Sequence, residues 1–245
     1  MSGLETTQDR LLGGRLLVKQ YKKAYRIAID PILLAASISP CPGQYVLDLG
    51  CGVGGASLCL AARIPGLHIL GLEKEESFIH LALENIQINS FQDTIELIRH
   101  DLKAPLPFMK KFDWVMANPP YLKQRDHSPS PYPLRQAANS EGEASLSDWI
   151  KGASFAAKEG GSIAFIHRWD RGNELIKGFS PLGEMRIAPL IAKEGQEPHR
   201  AIFLVKNGVG RDVTILSPVT LHYSNGNYTP RIENVLRHAA ALDLT

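Results

Sequence analysis

The sequence is poor in cysteine and has no long hydrophobic run. Its three cysteines, Cys41, Cys51 and Cys59, form no CxxC pair and show no zinc-ligand spacing. Sparse cysteines in odd number are typical of a reducing compartment, so we expect all three thiols to be buried and expect no metal site. No apolar stretch approaches the ~20 residues that span a bilayer, and the first ten residues do not resemble a signal peptide. These absences predict a cytoplasmic protein without membrane contact.

A surplus of charge of one sign is also lacking. The chain has 27 basic and 25 acidic side chains, a net charge of +2, which excludes a uniformly basic nucleic-acid binder. Affinity for a polyanion would therefore have to come from a local cluster. One basic cluster contains no acid and has Tyr21 and Tyr25 between its members: Arg15, Lys19, Lys22, Lys23 and Arg26. A solvated face is the common explanation of such runs, but this asymmetry favours contact with RNA.

What the sequence does have, from about Gln44 onward, is an alternation of short apolar runs with helical patterns. The 245 residues suffice for one large core. Helices are expected up to Arg63, over Lys74–Ser90, and over Ser145–Ala157 where Gly160-Gly161 ends the pattern. Strands are expected over Tyr45–Leu49, His68–Leu72, Ile95–His100, Phe112–Ala117, Ser162–His167, Met185–Ala192 and Ala201–Lys206. This alternation predicts an α/β fold with a mostly parallel sheet and helices on both faces.

Two segments lie outside this alternation. Residues 1–40 hold the basic cluster and then a helix, for which Asp30 is the expected N-cap and Pro31 the first helical residue. Residues 41–245 form the main domain. Within it, the segment 122–144 is rich in proline, serine and charge, which is typical of a functional flap or of disorder. Lys123, Arg125 and Arg135 form a second basic group on this flap.

A glycine-rich loop, Asp48-Leu49-Gly50-Cys51-Gly52-Val53-Gly54-Gly55, follows the first of the predicted strands. Glycines allow a tight turn and close approach of the backbone to a ligand, and we expect Gly50, Gly52 and Gly54 to bind a cofactor. The loop also fits the GxGxxG pattern of NAD sites. Asp48 argues against NAD, because a carboxylate there repels a pyrophosphate and suits a ligand with an ammonium group. S-adenosylmethionine (SAM) is therefore favoured over NAD, and a turn without ligand comes last.

Two further acids follow later strands. Glu73 ends the second strand, where it is placed to accept hydrogen bonds from ribose hydroxyls of a nucleoside cofactor. Asp101 follows the third strand in a comparable way. It could accept a hydrogen bond from a cofactor adenine, and a role as an exposed loop acid or a helix cap is about equally open.

The sequence Asn118-Pro119-Pro120-Tyr121 follows the fourth predicted strand. Consecutive prolines fix φ, end the strand and prevent a helix, so a rigid tip presents one amide and one aromatic ring. The Asn118 side chain and the Pro119 carbonyl can accept the two hydrogens of a planar amino group, while the Tyr121 ring stacks on the system to which it is attached. The tip is therefore a candidate catalytic site for an exocyclic amine.

Together these motifs resemble the class I SAM-dependent methyltransferases that modify exocyclic or amide nitrogens. The flanking sequences Lys19–Ser37, Leu146–Ile150, Arg200–Gly208 and Thr220–Leu236 narrow the resemblance to the bacterial tRNA1(Val) (adenine(37)-N6)-methyltransferase family. This resemblance implies a single Rossmann-like domain, a seven-stranded sheet with one antiparallel strand, SAM as cofactor and a tRNA substrate. It also implies that Asn118 lies beside both cofactor and target amine. Oligomeric state stays open, and a monomer is assumed.

Other functions remain as alternatives. A protein glutamine N5-methyltransferase uses the same tip, but only about 40 residues precede the cofactor domain here, few for its recognition domain. An rRNA or DNA adenine N6-methyltransferase is harder to exclude. A nicotinamide oxidoreductase leaves Asp48 and the Asn118–Tyr121 tip unexplained, and a non-catalytic RNA-binding module leaves the intact Asn118 unexplained.

Overall fold

A computed structural model describes residues 5–22, 26–121 and 144–244 of the chain. Eleven strands are found in these ranges. Their bounds are β1 Thr6–Leu11, β2 Leu16–Tyr21, β3 Tyr45–Leu49, β4 His68–Glu73, β5 Ile95–Arg99, β6 Phe112–Ala117, β7 Ala157–Arg168, β8 Gly183–Lys193, β9 Arg200–Asn207, β10 Val213–Ile215 and β11 Val219–His222. The helices are α1 Ile29–Ser37, α2 Gly55–Arg63, α3 Glu76–Ile88, α4 Leu146–Ala156, α5 Gly172–Phe179 and α6 Pro230–His238.

Nine of the strands form one sheet in the order β10-β8-β9-β7-β6-β3-β4-β5, with β11 paired beside β10 along β8. All seven predicted strands are present, and the mostly parallel α/β fold is confirmed. The β9 strand is antiparallel to both of its neighbours, as predicted. The count of seven is wrong, because β10 and β11 add two short strands parallel to β8. Strand β10 has only three residues and β11 only four, too short to be recognised as strands from the sequence.

The sheet reverses its strand order at β3, which pairs with β4 on one side and with β6 on the other. Ligands of such sheets bind at the carboxyl ends of the strands beside this reversal. The register brings Leu49 level with Leu72 and with Ala117. The residues that follow, in the glycine loop and at Glu73 and Asn118, therefore meet at one sheet edge.

Two apolar layers cover the sheet. On one face α1, α2 and α6 pack around residues such as Leu33, Leu58 and Ile232, all 0% exposed. On the other face α4 and α5 pack around Phe165 and Phe179, whose rings meet edge to face at 5.0 Å. Helix α4 was predicted almost to the residue, since Ser145 caps it through a capping box with Asp148. Gly160-Gly161 lies within β7 and does not end the helix.

The N-terminal segment is more ordered than the sequence suggested. A β-hairpin of β1 and β2 precedes α1 and lies against α3. Asn85 and Asn89 of α3 bond the hairpin backbone: their Oδ1 atoms accept from Lys19 N–H at 2.7 Å and Leu17 N–H at 3.0 Å. Helix α1 begins at Ile29, with Ala28 as N-cap, so Asp30 lies inside the helix and its predicted capping role is wrong.

The cysteines divide between surface and interior. Cys51 and Cys59 are buried, as predicted, but Cys41 is exposed in the turn before β3, so the expectation for that residue is wrong. Within the ranges 5–22, 26–121 and 144–244, no helix is long and apolar enough to cross a membrane. The same ranges contain no group of three His, Cys, Asp or Glu side chains that could hold a metal ion.

Candidate active site

The glycine loop between β3 and α2 uses backbone that only glycine adopts easily. Gly50, Gly52 and Gly54 have φ of +69°, +56° and +90°. A Cβ at Gly50 would stand 2.3 Å from Cη2 of Trp149, so the loop is pressed against that indole. A Cβ at Gly52 would meet nothing within 4 Å. One side of the loop is therefore packed while the backbone at Gly52 is open, which fits a ligand lying over it.

Glu73 at the end of β4 holds this loop in place. Its Oε2 accepts from Gly52 N–H at 2.9 Å, and its Oε1 accepts from the N–H groups of Lys74 at 2.7 Å and Glu75 at 2.9 Å. Burial raises the pKa of the Glu73 carboxyl, and these three N–H donors oppose that rise. The predicted ribose role of Glu73 stays a prediction; its contact with Gly52 places the carboxylate at the open side of the loop.

Asp48 lies in β3, two residues before Gly50, and is only 2% exposed. Its Oδ2 accepts a 2.6 Å hydrogen bond from Ser57 Oγ of α2, so the side chain points under the helix. Burial raises the pKa of Asp48 to about 6, and hydrogen bonds from Ser57 oppose that rise. Among the described residues no basic side chain pairs with it. A buried negative charge below the loop disfavours a pyrophosphate, the argument used above against NAD.

Asp101 follows β5 at the same sheet edge. Its carboxylate accepts from Lys103 N–H at 3.0 Å and pairs with Lys74 Nζ at 2.9 Å. The Lys103 N–H and Lys74 hold the pKa of Asp101 below its ordinary value. These contacts describe a structured loop acid. Its predicted contact with a cofactor adenine remains a prediction.

The Asn118–Tyr121 tip ends β6 as predicted. Asn118 Oδ1 is buried and accepts no hydrogen bond from any described residue. Buried amide oxygens are nearly always paired in folded proteins, and a lone one costs about 1–3 kcal/mol. An acceptor that lacks a partner among the described residues, next to a loop with an open backbone, fits a hydrogen-bond donor from a ligand.

Tyr121 is held by two distant parts of the chain. Its Oη donates a 2.5 Å hydrogen bond to Oδ2 of Asp30 in α1. Oδ1 of the same carboxylate pairs with the Arg200 guanidinium at the start of β9. The Asp30 side chain is 3% exposed, so this bridge is an internal feature. Sequence reasoning missed it, although a single carboxylate inside the apolar stretch of α1 could have indicated that a partner was required.

His167 of β7 packs against the tip. Its ring meets that of Tyr121 edge to face at 5.3 Å. Burial lowers the pKa of His167 to about 4, and nearby backbone groups of Pro120 and Arg168 only partly oppose this. Neither ring nitrogen makes a hydrogen bond of normal geometry within the described ranges. A neutral, buried imidazole supports the ring of Tyr121 by packing rather than by charge.

The basic cluster is more neutralised than its sequence suggested. Three members pair with acids from elsewhere: Lys19 with Glu84 at 2.9 Å, Lys22 with Glu5 at 3.1 Å and Arg26 with Asp9 at 2.7 Å. Arg15 follows the 3-10 turn before β2. Lys23 lies outside the described residues, as do Lys123, Arg125, Arg135 and nearly all of the predicted flap. Contact with RNA therefore remains a prediction.

Known proteins share this fold. The fold is similar to that of a protein from Agrobacterium tumefaciens described as a predicted O-methyltransferase, with a TM-score of 0.73 and 22% identity over 86% of this chain and 97% of that one. The family model of the methyltransferase small domain matches residues 27–132. The fold and site thus define a Rossmann-like methyltransferase.

Curated relatives narrow the class. The tRNA1(Val) (adenine(37)-N6)-methyltransferase of Glaesserella parasuis is 30% identical over 84% of this chain and 86% of its own. The enzyme of the same name from Mannheimia succiniciproducens is 33% identical over 76% of each chain. The protein belongs to the tRNA1(Val) (adenine(37)-N6)-methyltransferase family, which confirms the resemblance seen in the sequence.

Proposed function

We propose that the protein methylates N6 of an adenine in tRNA with SAM as the methyl donor, and that adenine 37 of tRNA1(Val) is the target. The observation that carries the proposal is the buried Asn118 Oδ1 that has no partner among the described residues. It lies at the sheet edge that holds the glycine loop. The names of the relatives supply the substrate.

The residues at this edge fit a nucleoside methyl donor. We assign the open backbone at Gly52, with Gly50 and Gly54, to holding SAM, and Glu73 to its ribose. The buried charge of Asp48 suits a ligand that carries an ammonium group. When bound, SAM supplies an electrophilic methyl group on a positively charged sulfur.

We assign Asn118 to binding the target amino group of the substrate. Its Oδ1, with the Pro119 carbonyl as second acceptor, would take hydrogen bonds from the N6 amino group and fix its orientation. These oxygens also stabilise the positive charge that develops on nitrogen during transfer. The methylated nitrogen is then acidic enough to release its proton to water, so no strong base is required. An adenine in a single-stranded loop is already partly unstacked, which lowers the cost of bringing it to the tip.

The test is methyl transfer from labelled SAM to unmodified bulk tRNA, followed by digestion to nucleosides. We expect N6-methyladenosine as the labelled product. A tRNA1(Val) transcript with guanosine at position 37 serves as the matched control and should accept no label. Label that appears in protein and not in RNA would instead indicate a glutamine methyltransferase, and label in rRNA or DNA alone would indicate a different adenine substrate.

The hairpin offers a separate test of RNA contact. If Lys22 contacts a phosphate, Lys22→Gln should weaken tRNA binding and reduce the slope of log Kd against log salt by about one. Its ion-pair partner provides the opposite change, since Glu5→Gln removes the acid that competes for Lys22 and should strengthen binding. Filter binding from low to moderate salt measures both. Equal slopes for both variants and for the wild type would show that Lys22 only faces solvent.

A further inference from the structure

A cleft of about 490 Å³ opens directly beside the tip. Tyr121 forms one wall, and Arg168, Trp169, Asp170, His199 and Arg200 line the rest. Arg168 ends β7 and Arg200 begins β9, and the two are register partners in the antiparallel pair. Since β9 runs antiparallel to β7, the cleft lies at the same sheet edge as Asn118. Its volume is within the range of small-molecule sites.

The chemistry of the cleft suits a flat base. Trp169 lines the cleft and also packs against the apolar core, and its backbone is fixed by a 2.9 Å hydrogen bond from its N–H to the His199 carbonyl. The guanidiniums of Arg168 and Arg200 are planar groups on which bases stack. Single-stranded nucleic acid is bound mainly through such stacking surfaces.

The charges in the cleft are balanced. Asp170 binds Arg168, with Nε to Oδ1 at 3.0 Å, and the buried Asp30 binds Arg200. Among the described residues each arginine is thus paired with a carboxylate, which offsets part of the positive charge that would attract a phosphate. This arrangement favours a nucleobase over the sugar–phosphate backbone.

We infer that the cleft binds an unpaired nucleobase next to the target adenine in the RNA substrate, stacked on Trp169. This inference rests on the proposed function and adds a second recognition point to it. Tyr121 is shared between the two places, so an occupied cleft would position the target base at Asn118. Trp169 and Arg200 are thereby binding residues for the nucleotide beside the target.

The experiment uses the full chain and an anticodon stem-loop RNA with 2-aminopurine on either side of the target adenine. Stacking on an indole quenches 2-aminopurine, so binding should quench the probe on one side of the target. Trp169→Ala should remove this quenching and raise the Kd for the RNA about tenfold or more, while the Kd for SAM stays unchanged. Trp169→Phe keeps a flat ring and should recover most of the affinity. Phe155→Ala, a 44% exposed aromatic on α4, is the matched control and should bind RNA as the wild type does.

A second arm changes the RNA. An RNA with an abasic site at the quenched position should bind the wild-type protein as weakly as intact RNA binds Trp169→Ala. Combining the abasic RNA with Trp169→Ala should raise the Kd no further than either change alone. Unquenched probes on both sides, or Kd values within twofold for all variants, would overturn the inference. If the wild type methylates tRNA while Trp169→Ala does so with the same kcat and KM, only the cleft assignment fails. If the wild type labels protein and no RNA, the proposed function fails with it.

Discussion

Asn118→Ala is expected to lower kcat for tRNA methylation by about 10²–10³-fold, the usual loss when one preorganised hydrogen-bonding group for transition-state charge is removed. The variant should fold as well as the wild type. Asn118 Oδ1 makes no hydrogen bond within the described ranges, so its removal leaves no donor unpaired. The free energy of unfolding should change by less than about 1 kcal/mol. Affinity for SAM should fall less than about tenfold, the worth of one hydrogen bond.

Asn89→Ala is the matched control because it removes the same side chain from a fully bonded position. Asn89 Oδ1 accepts from Leu17 N–H at 3.0 Å, and its Nδ2 donates to the carbonyls of Leu17 and Asn85, each at 2.7 Å. Its loss should lower the free energy of unfolding by about 1–3 kcal/mol and leave kcat at saturating tRNA intact. Single-turnover kinetics and urea unfolding separate the two effects. A normal kcat for Asn118→Ala would remove Asn118 from the catalytic site.

Alanine at Gly50 should mainly lower the stability of the fold, whereas alanine at Gly52 should mainly lower the affinity for SAM. Gly50→Ala should lower the free energy of unfolding by about 3 kcal/mol, the sum of a left-handed alanine and overpacking against Trp149. For a chain of this size that corresponds to a fall in Tm of roughly 6–12 °C. Gly52→Ala carries only the left-handed cost of about 1 kcal/mol, because its Cβ meets no atom within 4 Å.

For SAM affinity, the larger loss is expected from Gly52→Ala. The methyl group of Gly52→Ala would project into the open space we assign to SAM. The affinity of this variant for SAM, measured by calorimetric titration, should therefore fall strongly. Adding Trp149→Phe should reduce the stability cost of Gly50→Ala, since the ring atoms nearest the new methyl are then absent. Wild-type SAM affinity in Gly52→Ala would place the cofactor elsewhere. An unchanged cost of Gly50→Ala in the Trp149→Phe background would exclude the clash as its cause.

The fold was predictable where burial produces a simple pattern. Strands β3 and β6 were placed with their observed bounds because each is a short apolar run between polar turns. The β1 strand, Thr6–Leu11, is polar at most positions and is held by its pairing with β2, which in turn is bonded to α3 through Asn85 and Asn89. That contact joins residues 66 and 72 positions apart, which a local pattern does not reveal.

Some residues of the candidate site could also be predicted from the sequence, and others could not. The glycine loop, Glu73 and Asn118 were found because each follows a strand, and parallel strands bring their carboxyl ends together. The direction of Asp48 could not be read from its neighbours, since β3 is buried on both faces and both faces are apolar. The role of Asp30 was misassigned, because Asp-Pro is a common helix start and its partner Arg200 is 170 residues away.

The separation of Asp30 and Arg200 by 170 residues in the sequence also has a consequence during synthesis of the chain. At about 5–20 residues per second, the ribosome adds Arg200 roughly 10–30 s after Asp30. Until then Asp30 lacks its cationic partner, and β9 is not yet available to fill the gap between β7 and β8. The glycine loop and the Asn118–Tyr121 tip are therefore synthesised well before the second wall of the cleft beside them. The base-binding cleft proposed above therefore cannot form in a nascent chain before Arg200 has been synthesised.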